Sequence, residues 1–88
     1  MRTSFRASFE RDLRDITESG VRRKVAEKIE EIERAGDLSH IRHVKKLQGV
    51  GTFYRFRVGD YRIGVELEGD TVVFVRCLNR KEIYRFFP

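Results

Sequence analysis

The sequence has one cysteine, no tryptophan and no long apolar run. Because Cys77 has no second cysteine to pair with, an internal disulfide is excluded. No apolar stretch approaches the roughly 20 residues that a membrane-spanning helix requires. The first ten residues contain no apolar segment of the kind found in secretory signals, so we expect no such signal. Together these absences favour a protein of the reducing cytoplasm.

Linkers, internal repeats and low-complexity segments are also missing from the chain. With 88 residues, the chain is long enough for one domain with a modest core and too short for two. We therefore expect a single domain over residues 1–88.

Side chains that bind metals or attack substrates are scarce. His40 and His43 lie three residues apart in a basic segment that offers no paired carboxylates. Cys77 lies in an apolar stretch, where a lone thiol usually serves packing. The sequence therefore predicts no metal site, no cofactor and no cysteine nucleophile.

Positive charge is what the sequence has in excess, and it is concentrated in one segment. The formal net charge is +5. Residues 40–62 hold six of the 19 basic residues and one of the 14 acidic residues, so the remaining basic and acidic residues cancel. A localised basic excess indicates a nucleic acid or another acidic partner. A role in solubility alone is the alternative, although such charge is usually more dispersed.

The stretch from Phe53 to Glu66 predicts two strands joined by a tight turn at Gly59-Asp60. Because side chains alternate across a sheet, Arg55, Arg57 and Arg62 share one face. The other face collects the apolar residues Tyr54, Phe56, Val58, Tyr61, Ile63 and Val65. Facing like charges cost about 0.2 to 1 kcal/mol, so this face indicates a bound polyanion. A solvated arginine face is the alternative.

Helical spacing predicts two helices before this hairpin. The first begins at Ser8 as the N-cap and stops at Gly20. The second runs from about Val21 to Ala35, with Gly36 as its C-terminal cap. A short joint between consecutive helices predicts an antiparallel helical hairpin.

The remaining pattern predicts strands. A short edge strand is expected within residues 1–7, and Val50 lies between two glycines that suggest a flexible approach to the sheet. The later strands are expected at Phe53–Val58, Tyr61–Glu68 and Thr71–Leu78. The order β-α-α-β-β-β predicts an α+β fold in which a helical hairpin packs on one face of an antiparallel sheet.

The registers of these strands place further residues near the arginine face. If Glu68 faces Thr71, then Arg62 faces Cys77 and the arginine face ends beside Cys77. Gly64 opposite Arg55 would leave a gap that a ligand could enter. Beyond the last strand, Arg80 and Tyr84 could both reach this face.

Arginines and one tyrosine are thus the candidate chemical groups. Arginine stays protonated and grips phosphate with a two-pronged fork, which also stabilises charge developing in a transition state. RNA carries its own nucleophile, the 2′-hydroxyl, so the protein must supply positioning, charge stabilisation and proton transfer. The arginines supply the first two, and the proton acceptor remains open.

The pattern KKLQGVGTFYRFRVGDYRIGVELEGDTVVFVRCLNRKEIYRF resembles the RelE/ParE toxin superfamily of bacterial and archaeal toxin–antitoxin systems. The most specific elements are Lys46-Leu47 with Gly49, the run Tyr54–Arg62, and Arg80 followed by Glu82-Ile83-Tyr84. RelE-like members cut messenger RNA in the ribosomal A site without a metal. ParE-like members poison DNA gyrase, and the hairpin motif occurs in both.

The resemblance implies a catalytic set of four arginines and one tyrosine. These residues are Arg55, Arg57, Arg62, Arg80 and Tyr84. It also implies that Lys45 and Lys46 contact ribosomal RNA. Lysine is the better-known occupant at positions 55 and 57, and many relatives carry histidine where this chain has Asn79. Both departures leave the general base unidentified.

We therefore interpret the chain as a RelE-like toxin, a metal-independent and ribosome-dependent mRNA endoribonuclease that inhibits translation. The implied partners are a cognate antitoxin, the ribosome and mRNA, with no membrane, and the toxin would be a monomer or part of a hetero-oligomer with its antitoxin. A ParE-like gyrase inhibitor and a catalytically weak antitoxin-binding module are the alternatives.

Overall fold

A mixed β-sheet with the two longer helices on one face organises the molecule. The computed structural model describes residues 1–49 and 51–88, so the predicted flexible approach at Val50 lies outside the described residues. Over this part the sheet has five strands in the order β1-β5-β4-β3-β2. The strands are β1 (Arg2–Phe5), β2 (Val44–Lys46), β3 (Phe53–Val58), β4 (Tyr61–Glu68) and β5 (Thr71–Asn79). The helices are α1 (Ala7–Asp15), α2 (Ser19–Arg34) and α3 (Ile83–Phe86), with a 3₁₀ turn at Leu38–His40.

The core lies between the sheet and the helices α1 and α2. Helix α1 packs over β5 and α2 packs over β3. Phe9, Val25 and Ile32 contribute from the helices, and each is at most 1% exposed. The facing sheet residues are Phe56, Ile63, Val65, Val72, Phe74 and Cys77. The predicted α+β arrangement, with two helices on the apolar face of the sheet, is confirmed.

The β3–β4 hairpin has the predicted register. Arg57 pairs with Arg62, and Arg55 pairs with Gly64. Gly59 adopts a φ of 59°, the left-handed conformation that a two-residue hairpin turn requires. This turn fixes which side chains face the core, because a slip of one residue would exchange the two faces.

The predicted β4–β5 register is wrong beyond the middle of the strands. Glu68 does pair with Thr71, but a bulge opposite Gly64/Val65 shifts the pairing, so that Arg62 faces Leu78. Cys77 pairs instead with Ile63 on the core face and is 1% exposed. The arginine face therefore does not end beside Cys77. A bulge adds one residue to one strand, and alternation alone could not reveal it.

Ser8 contacts the bulge and is not the helix cap that the sequence predicted. Val75 has no partner on β4, and its carbonyl accepts a hydrogen bond from Ser8 Oγ at 2.6 Å. The N-cap of α1 is Arg6, which makes no side-chain capping bond. The hydroxyl of Ser8 thus ties α1 to the irregular part of β5.

The two predicted glycine stops are wrong as well. Helix α1 ends at Asp15, and Gly20 lies in the first turn of α2. Helix α2 ends at Arg34, with Ala35 in an extended conformation as its C-cap. Gly36 is not among the glycines with a positive φ, so it does not provide the left-handed cap.

Three features of the sheet and its ends differ from the prediction. Strand β1 is the expected edge strand, but it runs parallel to β5, so the sheet is not wholly antiparallel. A four-residue strand carries no signal for direction; in the structure Phe5 pairs with Phe74 and their rings stack. Strand β2 and helix α3 were not predicted, because each is too short to show a period and depends on tertiary contacts.

A buried ion pair fastens α1 to β5. Asp12 is 5% exposed and accepts from Arg76 Nε at 2.8 Å and from Arg76 Nη2 at 3.1 Å. The backbone N–H of Cys77 donates to the same carboxylate at 2.9 Å. Three donors therefore converge on one acid.

Asp12→Ala should destabilise the fold by about 3 kcal/mol, since removing one member leaves a partly buried guanidinium and a backbone donor without their acceptor. Urea unfolding followed by circular dichroism measures this loss. Asp15→Ala, on the exposed part of the same helix, is the control and should cost less than about 0.5 kcal/mol. Equal effects of the two substitutions would contradict the anchoring role of Asp12.

Candidate functional site

The face of the sheet opposite α1 and α2 carries a basic pocket of about 300 Å³. Its lining residues are His43, Val44, Lys45, Arg55, Arg57, Arg62 and Tyr84. The strands β2, β3 and β4 each contribute cationic side chains, and Lys45 pairs directly with Arg55 across β2 and β3. No carboxylate is among the lining residues. The pocket therefore concentrates positive charge from three neighbouring strands.

Each of the three pocket arginines is held by a neutral acceptor. Arg55 Nη2 lies 3.4 Å from the hydroxyl oxygen of Tyr84, and Arg57 Nη2 lies 3.1 Å from Nδ1 of His43. Arg62 Nη1 donates to the carbonyl oxygens of Gly59 and Tyr61, both at 2.9 Å. These contacts orient the guanidiniums without neutralising their charge.

Four arginines outside the pocket have acidic partners within the described residues. Arg76 pairs with Asp12, and Arg6 pairs with Glu66 and Glu68 at the far end of β4. None of the ion pairs in the described part of the chain involves a pocket arginine. The charge of the pocket is thus available to an anionic ligand.

Arg62 is affected by the charges of several neighbouring arginines. Burial lowers the pKa of its guanidinium, and Arg57, Arg55 and Arg80 lower it further, while Tyr84 acts in the opposite sense. Arginine still remains a cation at neutral pH. An anion bound beside Arg62 would relieve the repulsion among these groups.

Packing at the C-terminus brings Tyr84 to the pocket. A Cβ on Gly64 would lie 2.6 Å from the ring of Phe87, so Phe87 rests directly on Gly64. Phe53 meets the same ring edge-on, with 5.7 Å between centroids. The gap expected beside Arg55 is therefore filled by the protein's own Phe87 and does not admit a ligand. Tyr84 is 67% exposed, and its ring centroid lies 4.4 Å from Cζ of Arg55.

The remaining candidates lie outside the pocket lining. Arg80 is exposed, and its backbone N–H donates to the carbonyl of Asp60 at 2.8 Å, which places it at the turn beside Arg62. Lys46 alternates away from Lys45 on β2 and does not line the pocket. Asn79 accepts a hydrogen bond from the N–H of Lys81, so its side chain stabilises the turn after β5.

His43 is a member of the pocket that sequence reasoning treated only as a poor metal ligand. Its carbonyl accepts from the backbone N–H of Arg57 at 3.0 Å, which continues the β2–β3 pairing by one position. The side chain lines the pocket together with Lys45, although the positive φ of His43 places it outside the regular strand. The placement of His43 in the pocket depends on the pairing of β2 with β3, and the sequence did not predict β2.

The environment of His43 disfavours its protonation. The charge of Arg57 lowers the pKa of the imidazole most, followed by desolvation and the charges of Arg42 and Lys28, while Glu31 opposes them. His43 also has a φ of 63°, a left-handed conformation that is uncommon outside glycine. Such conformations cluster at functional sites.

Cys77 is a buried free thiol. Burial, with a smaller contribution from Asp12, raises the pKa of the Cys77 thiol to about 12. In the described residues, no three or more His, Cys, Asp or Glu side chains gather where they could hold a metal ion. Across residues 1–49 and 51–88, no helix is both long and apolar enough to cross a membrane.

Residues 4–84 match the sequence model of a family described as the ParE toxin of the type II toxin–antitoxin system parDE. The chain belongs to this toxin family. It is accordingly a toxin of a type II toxin–antitoxin system, and the sequence-based assignment to the RelE/ParE superfamily is confirmed.

Relatives with RelE names match 90% or more of the chain. The chain is 39% identical to Toxin RelE3 of Methanocaldococcus jannaschii, over 100% of both sequences. The structure is similar to that of a RelB–RelE antitoxin–toxin complex from Methanococcus jannaschii, with a TM-score of 0.81 and 39% identity over 97% of this chain and 99% of that one. An archaeal RelE–RelB complex from Pyrococcus horikoshii shares the fold, with a TM-score of 0.74 and 22% identity over 90% and 93% of the two chains.

Arg57→Gln should raise the pKa of His43 toward its ordinary value, because the substitution removes the charge that lowers this pKa most. An NMR titration of the imidazole measures the shift. Arg80→Gln removes an equal charge outside the pocket lining and serves as the control, with little expected change. A His43 pKa that is the same in Arg57→Gln and the wild type would contradict the contact.

Proposed function

We propose that this toxin is a metal-independent endoribonuclease that cuts mRNA in the ribosomal A site and thereby stops translation. The observation that supports the proposal is the set of pocket arginines held only by neutral acceptors. A site that keeps several oriented guanidiniums without carboxylates is suited to a phosphate diester and to the additional negative charge of its transition state.

The proposed roles follow from position. Arg55, Arg57 and Arg62 line the pocket together and would grip the scissile phosphate. Arg80, at the adjoining turn, would add a further positive charge without direct contact. Tyr84 is exposed beside Arg55, where its ring could stack on a base and its phenol could donate a proton to the leaving oxygen.

The lysines of β2 are suited to different contacts. Lys45 lines the pocket and would touch the RNA near the reacting phosphate. Lys46 points away from it, which fits contact with the ribosomal RNA backbone more than chemistry. The toxin would act in the cytoplasm, where the ribosome is found.

A protein partner is proposed by analogy with the relatives. The M. jannaschii structure is described as a RelB–RelE antitoxin–toxin complex. We therefore propose that this chain also binds a cognate antitoxin, as a member of a hetero-oligomer. Binding of an acidic antitoxin segment to the basic face would neutralise the same charge that the RNA requires.

The mechanism predicts that cleavage needs the 2′-hydroxyl of the scissile nucleotide. A single 2′-deoxy substitution in an A-site message should abolish cutting, because the attacking oxygen is then absent. The unmodified message should give a 2′,3′-cyclic phosphate and a 5′-hydroxyl. The same deoxy substitution one nucleotide away is the control and should be cut normally.

Two results would overturn this proposal. Efficient cutting of the deoxy substrate, or a 5′-phosphate product, would indicate an activated water as the nucleophile. Growth arrest that begins with loss of thymidine incorporation, while amino-acid incorporation continues, would indicate inhibition of DNA gyrase as in ParE-like toxins.

Arg62→Ala should lower cleavage at least about 100-fold, because it removes an oriented positive charge from the transition state. The fold should survive with a loss of about 1 kcal/mol, since water can satisfy the two turn carbonyls that Arg62 now contacts. Arg23→Ala, on the exposed face of α2, removes the same charge and should leave cleavage unchanged. Wild-type cleavage by Arg62→Ala would refute the assigned role.

A further inference from the structure

We propose that His43 is the proton acceptor of the reaction, the group that takes the 2′-hydroxyl proton as that oxygen attacks phosphorus. The inference rests on the proposed endoribonuclease function. The pocket arginines cannot take this role, because a guanidinium has five donors and no acceptor. Among the other lining residues, the Lys45 ammonium has donors and no acceptor, and Tyr84 is already assigned to the leaving oxygen.

The contact between His43 and Arg57 determines which ring nitrogen can accept. Nη2 of Arg57 lies 3.1 Å from Nδ1 of His43. Because the guanidinium can only donate, Nδ1 must be the unprotonated nitrogen and Nε2 must carry the hydrogen. The resting protein therefore keeps a basic nitrogen inside the pocket, next to a guanidinium proposed to bind the phosphate.

The backbone directs this ring into the pocket. His43 has a φ of 63° and lies immediately before β2, with its carbonyl fixed by the N–H of Arg57. An ordinary extended residue here would continue β2, whereas the left-handed conformation turns the chain at that point. Asparagine and aspartate adopt this conformation more readily than other residues with a side chain, which provides matched substitutions.

The charges around His43 keep the ring neutral and ready to accept a proton. Arg57 faces it from β3, Arg42 precedes it, and Lys28 approaches from α2. Lys28 Nζ also donates to the carbonyl of Arg42 at 3.3 Å, which holds α2 against this segment. Glu31, paired with Lys28, is the opposing charge, and Lys45 adds a further cation within the pocket.

The proposed step moves one proton to His43 and exchanges one P–O bond for another. On binding, Arg57 turns from Nδ1 to a phosphate oxygen, and the 2′-hydroxyl next to that phosphate takes its place. Nδ1 accepts the hydroxyl proton, the O2′–P bond forms and the P–O5′ bond breaks. The leaving oxygen takes a proton from Tyr84 or water, which gives the cyclic phosphate and the 5′-hydroxyl. The imidazolium then releases its proton to solvent. If Tyr84 was the donor, it takes a proton back from solvent.

Two substitutions separate proton transfer from structure. His43→Asn keeps a side chain suited to the left-handed backbone and an oxygen that can accept from Arg57, but it cannot take up a proton. His43→Asp keeps both features and adds a carboxylate base. His40→Asn, in the 3₁₀ turn and outside the pocket, is the control for changing a histidine in this segment.

Single-turnover cleavage of an A-site message on programmed ribosomes is the assay. We expect His43→Asn to lose about 100-fold or more, as for removal of a general base. His43→Asp should recover much of that loss, and His40→Asn should match the wild type. Wild-type rates in His43→Asn, or equal losses in the Asn and Asp variants, would overturn the assignment. Absence of cleavage by the wild-type toxin would instead refute the proposed function itself, and this inference with it.

The pH dependence gives a readout that a structural role would not move. A base acts when neutral, so kcat/KM should be constant at neutral pH and fall as the pH drops below the ordinary histidine value of about 6.5. His43→Asp should keep its residual rate to lower pH, because aspartate titrates near 3.9. A wild-type profile without this limb would count against His43. In the free toxin, ¹⁵N NMR should find Nδ1 unprotonated; a proton on Nδ1 would contradict the tautomer.

Discussion

The register of the β3–β4 hairpin is the constraint on which the rest of this protein depends. A two-residue turn at Gly59-Asp60 sets Arg57 opposite Arg62, and strand alternation then sends the arginines to one face and the apolar residues to the other. The same register therefore determines both the core and the basic pocket. A slip of one residue would bury the guanidiniums and expose the core together.

The hairpin register concentrates positive charge on one face, and the contacts around the pocket arginines do not neutralise this charge. Carboxylates are used elsewhere: Asp12 anchors α1 to β5, and the acids at the far end of β4 engage Arg6. The pocket arginines instead contact a phenol, an imidazole and two carbonyls. Facing cations such as Arg57 and Arg62 repel each other, so the free protein is arranged to gain from binding an anion.

The pocket is assembled from parts that are distant in sequence. Phe87 packs on Gly64 and so positions Tyr84 over Arg55, while pairing of β2 with β3 brings His43 to Arg57. Both additions are short segments whose placement depends on contacts with the sheet. They complete an arginine site with the two kinds of group that arginine cannot replace, a phenol that can stack and donate, and an imidazole that can accept a proton.

The sequence by itself determined the β3 and β4 strands, their register and the two-faced division of their residues, because alternation and a glycine turn are local signals. It also carried the resemblance that the family match confirms. Tertiary structure alone decided the rest. Because of the bulge in β5, Cys77 lies in the core and not beside the arginine face. Phe87 fills the gap at Gly64. The pairing of β2 places His43 in the pocket. None of these follows from periodicity, since each depends on which distant surface a short segment meets when the chain closes around its core.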